Sequence, residues 1–223
     1  MPVPTDAEPL RPRRVLLKDM VHDQLRDAIL DRTLRHGEVL SDDELARWLG
    51  ASRNPIRAAI HELAQEGLIE TWPNRYTRVA VPSQAAVISA THALGALYAG
   101  AMRFTVPTLP DRVVKQSVER CADVLDALAS GDVADIRRSF IPLFDDLLAN
   151  CANDLYRERV QSSLGGLLFI AQAESVLRAM GGEPGLRRLE DSIEALGRAL
   201  SMRDTAAARA AVEDAFLGWI PDV

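Results

Sequence analysis

The sequence predicts a mainly α-helical protein: an N-terminal winged helix-turn-helix of three helices and a β-hairpin, followed by a C-terminal all-α bundle of six helices. Two observations predict this fold class. Up to residue 82, three segments with helical spacing of apolar residues precede two short β-prone segments. From residue 83 onwards the helical spacing continues, and turn-forming residues divide it into six segments. We therefore assign residues 1–13 to an arm, 14–82 to a winged domain and 83–223 to a helical domain.

The composition of the 223-residue chain fits a globular protein, because 48% of the residues are hydrophobic and 26% are charged. It contains no run of about 18 apolar residues and no secretory signal, so we expect a cytoplasmic protein without a membrane span. Cys121 and Cys151 are expected to be free thiols. The formal net charge of −6 excludes a protein that is basic all over, but it allows one small positive face.

The arm, residues 1–13, holds four of the twelve prolines and few large apolar side chains, which predicts disorder. Arg11, Arg13 and Arg14 could extend along a polyanion. The favoured interpretation of the segment is a solvated tail.

The winged domain begins with a predicted helix from Val15 to about Arg32, whose apolar residues recur every four positions. Ser41-Asp42-Asp43-Glu44 has the pattern of a capping box and opens a short second helix, which Gly50 ends. A third helix starts at Ser52 or Asn54 and stops at Gly67. Two strands, 68–72 and 77–81, then flank a turn at 73–76 and complete the wing.

The third helix would carry Arg53, Arg57 and His61 at positions i, i+4 and i+8, on the face opposite Ile56 and Ile60. An exposed row of this kind on the second helix of a helix-turn-helix suits the DNA major groove. An arginine fork can donate two hydrogen bonds to guanine, and an asparagine such as Asn54 can pair with adenine. Taken alone, the row could also be a solvated face. Arg75 and Arg78, in the hairpin, could reach phosphates or a minor groove.

Residues 25–79 resemble the winged helix-turn-helix of GntR-type bacterial transcriptional regulators. The resemblance rests on Gly37, Leu45-Ala46, Leu49-Gly50, Ser52-Arg53-x-Pro55-x-Arg57 and Leu63…Glu66-Gly67-Leu68. The helical remainder is similar to the FadR/FCD branch of that family, whose C-terminal bundle binds effectors and dimerises. The resemblance implies that Arg53 and Arg57 contact DNA, with Ser52 and Asn54 beside them, and that the wing reaches the minor groove.

Two residues depart from the family pattern. Asp43 stands where the family usually has a basic residue, so one expected DNA contact is missing. Tyr76 stands at the wing tip in place of a glycine, and its side chain prevents the close backbone approach that glycine permits. Wing contacts are then expected from the side chains of Arg75, Tyr76 or Arg78.

In the helical domain we predict helices over 84–104, 110–129, 132–149, 154–179, 184–201 and 204–219, with a possible kink at Gly165-Gly166. Many FCD domains bind a metal through one Asp and three His. Here the corresponding positions hold Ile141, Asp145, Ile193 and Ala215. We therefore expect no bound metal and no other cofactor.

A small-molecule effector would be held by apolar walls and a few polar groups. The candidates are His92, Arg103, Asp145 and Asn150, each of which could instead be a structural or surface residue.

The sequence contains no Gly-rich phosphate loop, no G-x-S-x-G motif and no Glu-x-x-His pair, so we expect no enzyme activity. The favoured function is a homodimeric DNA-binding transcriptional regulator, with repression as the favoured role. It recognises a double-stranded operator of approximate two-fold symmetry and responds to an effector. Two alternatives stay open: a helical small-molecule-binding protein or enzyme with a vestigial winged domain, and a winged domain used for protein contacts.

Overall fold

The computed structural model describes residues 17–72 and 75–219, except for the side chain of Glu174. The predicted arm, residues 1–13, and the tip of the predicted hairpin turn, residues 73–74, lie outside the described residues. The chain divides into two compact units, residues 1–81 and 82–223. The first contains the winged helix-turn-helix and the second the helical bundle, so the predicted fold class is confirmed.

The first unit contains the three predicted helices and the hairpin in the predicted order. The helices are α1 (Leu17–Leu30), α2 (Asp42–Leu49) and α3 (Arg53–Gln65), and the strands are β1 (Ile69–Trp72) and β2 (Tyr76–Val79). Apolar residues at helical spacing on α1 and α3 face each other, and Leu25, Ile56 and Leu63 are completely buried between these helices. This core fixes which face of α3 is left exposed.

The turn between α2 and α3 depends on Gly50. Its φ of 61° and ψ of 28° are left-handed, a conformation that glycine adopts without a steric penalty, and its N–H donates to the carbonyl of Ala46. The predicted capping box is wrong in detail, because Ser41 occupies the N-cap position but its side chain accepts no hydrogen bond. Ser52 caps α3 in the same way, through backbone conformation alone. The acidic first turn of α2 complements the helix dipole instead.

The wing consists of β1, β2 and the loop before α2, and the sequence did not predict that this loop pairs with β2. β1 and β2 are antiparallel, with Trp72 opposite Tyr76 and Glu70 opposite Arg78. Tyr76, predicted in the turn, is therefore the first residue of β2. The loop before α2 pairs with the other edge of β2, where the N–H of Leu40 donates to Thr77 over 2.7 Å. Backbone hydrogen bonds thus hold β2 against the loop that leads into α2.

The described part of the second unit, residues 82–219, contains seven α-helices. They are α4 (Gln84–Thr105), α5 (Asp111–Ser130), α6 (Val133–Ala149), α7 (Asp154–Ile170), α8 (Ala173–Ala179), α9 (Glu183–Met202) and α10 (Thr205–Leu217), with a 3₁₀ turn at Val106–Thr108. The predicted fourth helix, 154–179, is two helices. The chain leaves α7 at Ala171, with ψ at 57°, whereas Gly165-Gly166 remain helical. A glycine pair is tolerated inside a helix, so it did not mark the break.

Helix α4 lies at the centre of the second unit and packs against α6, α7, α8 and α10. Four aromatic rings, those of Tyr98, Phe140, Phe144 and Phe216, contact one another with centroids 4.9–5.7 Å apart. Residues 84–108 are, among the described helices, the segment long and apolar enough to cross a membrane. Half of that segment's apolar window is buried within the unit, as expected of a central core helix.

Candidate nucleic-acid interface

The two faces of α3 differ sharply in exposure. Ile56, Ala59, Ile60 and Leu63 are buried against the rest of the unit. The opposite face is exposed and comprises Ser52, Arg53, Asn54, Arg57 and His61. The structure thus brings together the five residues that were predicted for the third helix. At the end of this row, Nε2 of His61 lies 3.3 Å from Nε2 of Gln65.

Both arginines of this row form ion pairs with the first turn of α2. Nε and Nη2 of Arg53 lie 2.8 and 2.5 Å from Oδ1 of Asp43, and Nε of Arg57 donates to Oδ2 of Asp42 over 2.7 Å. The arginine side chains nevertheless remain 61% and 67% exposed. Asp43, which the sequence marked only as a lost basic contact, is therefore part of the same surface.

In the wing, Arg78 is held by a neighbouring carboxylate. Its Nε and Nη2 donate to Oε2 of Glu70 over 2.9 and 2.8 Å, and the guanidinium lies 4.8 Å from the centroid of the Tyr76 ring. The hydrogen bonds from Arg78 keep the pKa of Glu70 below its ordinary value. Arg75 is exposed next to the tip, and its backbone N–H donates to Trp72.

The other side of α3 is tied to α1 by charged groups. Lys18 donates to Glu62 over 2.7 Å, and Nε2 of His22 lies 2.7 Å from Oε1 of Glu66. Arg26 approaches the same glutamate at 3.5 Å. These three α1 residues follow one another at four-residue spacing, so they form one stripe along the helix. The stripe and the apolar core together set the orientation of α3 within this unit.

Residues 17–79 match the family model described as bacterial regulatory proteins, gntR family. Residues 17–79 of the N-terminal unit are therefore a gntR-family domain. A curated relative, an uncharacterized HTH-type transcriptional regulator in an unstable DNA locus of Streptomyces ambofaciens, is 44% identical over 50 residues. That match spans 22% of this chain and only 21% of the relative's length. The resemblance stated for residues 25–79 is therefore confirmed.

Solved structures of other proteins share the fold over most of the chain. E. coli McbR/YncC has a TM-score of 0.60 at 18% identity and covers 92% of this chain and 95% of its own. A GntR regulator from Rhodococcus sp. RHA1 has a TM-score of 0.55 at 22% identity, covering 91% and 96%. Lar, which controls expression of the Listeria monocytogenes agr system, has a TM-score of 0.53 at 15% identity, covering 93% and 96%. At these identities the likeness shows the fold.

Two exposed residues of the gntR-family domain were not predicted from the sequence as part of this surface. Arg47 is exposed on α2, and its Nε lies 3.3 Å from the carbonyl oxygen of Asp43. Its position four residues after Asp43, on the same helix face, was the signal available for it. Trp72 is 53% exposed, and its ring lies 6.2 Å from that of Tyr76. No signal in the sequence placed it, because an alternating strand does not reveal which face is covered.

The four effector candidates occupy different environments in the second unit. His92 and Arg103 are exposed on α4, about 16 Å apart along the helix axis. Asn150 ends α6, where its side-chain amide donates to the carbonyl of Asp146. Asp145 accepts a 2.7 Å hydrogen bond from the buried Tyr98 hydroxyl. Asp145 is thereby bonded to the aromatic cluster, which is formed by the rings of Tyr98, Phe140, Phe144 and Phe216.

A polar groove of about 400 Å³ lies between α5 and α6. It is lined by Arg120, Asp123, Asp126, Ser130, Asp135 and Arg138, and by none of the four effector candidates. Among residues 17–72 and 75–219, no group of three or more His, Cys, Asp or Glu side chains is placed to hold a metal ion.

Proposed function

We propose that this protein is a sequence-specific DNA-binding transcriptional regulator that inserts α3 of each protomer into a major groove. The observation that carries this proposal is the exposed row on α3 of a gntR-family domain, with Arg53 and Arg57 at its centre. The second helix of a helix-turn-helix reads bases through such side chains. Beyond these ion pairs, Arg53 keeps three N–H donors and Arg57 keeps four, and these donors are available to accepting groups on guanine.

The functional form is proposed to be a homodimer in the bacterial cytoplasm. Two reading heads related by a two-fold axis recognise half-sites of the same symmetry, so the operator is a double-stranded, approximately palindromic sequence. We favour repression, because a bound dimer need only block a promoter, whereas activation needs a further contact with polymerase.

The helical unit is proposed to hold dimer contacts and a small-molecule effector, as in the FadR/FCD branch of the family. An effector that favours one spacing of the reading heads by 1–3 kcal/mol, a typical coupling energy, would change operator affinity about 5–150-fold. Among the effector candidates, Asp145 is the first to test, because it joins the aromatic cluster to the surface. Asp145→Asn is expected to change the effector concentration that releases the operator.

The deciding experiment selects DNA duplexes that bind the protein from a random pool and then measures the affinity of the protein for the selected duplex. Arg57→Ala is expected to weaken binding about 5–150-fold, since a bidentate contact to a base is worth roughly 1–3 kcal/mol. Arg198→Ala is the matched control, because Arg198 is equally exposed and also paired, but with Glu194 in the helical unit. Unchanged affinity of the folded Arg57→Ala dimer, or no selected sequence, would contradict the proposal and favour a vestigial or protein-binding winged domain.

A further inference from the structure

The acidic first turn of α2 faces the arginines of α3. Asp42 and Asp43 each use one carboxylate oxygen on an arginine of the neighbouring helix, at 2.5–2.8 Å. Asp43 also accepts a hydrogen bond from Arg47 through its backbone carbonyl. Two negative charges thus sit within the surface that is proposed to approach a polyanion. On a surface whose only task was to attract DNA, they would be unfavourable.

The ion pairs leave most of the terminal N–H groups of both guanidinium groups unused by the described residues. Arg53 spends Nε and one hydrogen of Nη2 on Asp43, which leaves three N–H donors. Arg57 spends only Nε on Asp42, which leaves all four donors of its terminal nitrogens. Because the guanidinium is planar, a carboxylate on one edge orients the remaining donors in a defined direction. Each aspartate therefore fixes the direction in which the free N–H groups of its arginine point.

The two carboxylates affect contacts with bases and contacts with phosphates differently. Guanine O6 and N7 are uncharged acceptors, so they can receive the terminal N–H groups while the aspartate keeps its own hydrogen bond. A phosphate oxygen that receives the same N–H groups carries a negative charge and is repelled by the aspartate. An interface that penalises the competing partner gains specificity without any new attractive contact.

We propose that Asp42 and Asp43 are specificity-determining residues of the α3 surface, which aim Arg57 and Arg53 at base edges and weaken their contacts with phosphates. This inference rests on the proposed DNA-binding function. It gives the acidic turn a positive role in operator recognition. The affinity for DNA of any sequence falls, and the ratio of the affinity for the operator to the affinity for other DNA rises.

The test measures dissociation constants for the selected duplex and for a shuffled duplex of equal length, over a range of salt concentrations. Asp42→Asn and Asp43→Asn retain the shape and an accepting oxygen but remove the charge. Each is expected to tighten binding to the shuffled duplex about two- to five-fold, the scale of an exposed ion pair. The double variant should lower the operator-to-shuffled ratio about tenfold and steepen the salt dependence on shuffled DNA.

Asp27→Asn is the matched control, because Asp27 is an exposed aspartate of the same unit on α1. It changes the net charge equally and should leave the ratio as in the natural chain. A ratio that stays constant or rises in Asp43→Asn and Asp42→Asn would overturn the inference, and so would an equal fall in Asp27→Asn. If the natural chain selects no sequence at all, the proposed function fails first, and the inference fails with it.

Discussion

The hydroxyl group of Tyr98, on the central helix α4, donates a 2.7 Å hydrogen bond to Oδ1 of Asp145 on α6. The Tyr98 side chain is completely buried, and its burial together with the negative charge of Asp145 raises the pKa of the phenol. It therefore remains a donor at all ordinary pH values. Desolvation likewise raises the pKa of Asp145, although the hydrogen bond from Tyr98 acts in the opposite direction. The pair joins the aromatic cluster to the polar surface of the unit.

Removal of this hydroxyl group should destabilise the helical unit. Tyr98→Phe is expected to cost about 1–2 kcal/mol, because hydrogen bonds to a charged acceptor are stronger than those between neutral groups. In an Asp145→Asn background the same substitution should cost about 1 kcal/mol less. Urea denaturation followed by tryptophan fluorescence, to which buried Trp219 of this unit contributes, measures all four variants. Equal costs in the two backgrounds would show that the pair has no coupling.

Gly100 leaves room for the hydroxyl group of Tyr156. A Cβ atom at position 100 would overlap that oxygen, which donates a 2.9 Å hydrogen bond to the carbonyl of Leu97. Gly100→Ala should therefore destabilise the helical unit by about 1–3 kcal/mol, as overpacking of a core does.

Tyr156→Phe supplies the control for this clash. Without the oxygen, the nearest ring carbon would be 3.2 Å from the new Cβ, a contact that a small shift relieves. The double variant Gly100→Ala/Tyr156→Phe should thus be more stable than the sum of the single effects predicts, in thermal unfolding followed by circular dichroism. Strict additivity would mean that Tyr156 is not the obstacle.

His22 should make the stability of the winged unit depend on pH. Partial burial lowers the pKa of this side chain, but hydrogen bonds and charges from Asp23 and Glu66 outweigh the burial and raise it above the usual 6.5. The folded state then binds the proton more tightly than the unfolded state. The resulting stabilisation is complete below about pH 6.5 and is lost as the pH rises through the raised pKa.

Amide hydrogen exchange resolves this effect by segment. Peptides from α1 and α3 should exchange faster, after correction for intrinsic rates, as the pH rises above neutrality. The difference should disappear in His22→Gln, whereas peptides from α9 and α10 serve as an internal control. An unchanged pH dependence in His22→Gln would contradict this role of His22.

The two cysteines should resist thiol reagents in the native state. Cys121 and Cys151 are both buried and free, and burial raises the pKa of the Cys121 thiol to about 12. Because the thiolate is the reactive form, labelling should proceed only through opening of the helical unit. The labelling rate should therefore rise with urea in parallel with the loss of structure. Rapid labelling in buffer would contradict the buried placement.

Local sequence patterns were sufficient to predict most of the helices and strands and the exposed face of α3. Helical periodicity depends on residues three and four positions apart, so Arg53, Arg57 and His61 could be placed on one face without knowledge of the rest of the chain. Gly50 could be recognised as a helix end for the same reason. The capping box failed, because backbone conformation alone starts α2 and the Ser41 side chain takes no part.

The break between α7 and α8 shows a second limit of local patterns. Gly165-Gly166 has the lower helix propensity, yet the chain leaves the helix at Ala171, which is a good helix former. Packing of the segments after the break against α4 and α6 selects the position, and intrinsic propensity is too small an effect to oppose it.

The sequence by itself determined the order of the elements, the two-part division and the exposed basic face of α3, because each depends on neighbours along the chain. Only the tertiary structure decided which carboxylate meets which arginine. Asp43 reaches Arg53 across ten residues, and Asp42 reaches Arg57 across fifteen, once the turn at Gly50 has folded α2 against α3. Ion pairs between helices depend on the angle at which apolar faces pack, and no periodicity within a single helix records that angle.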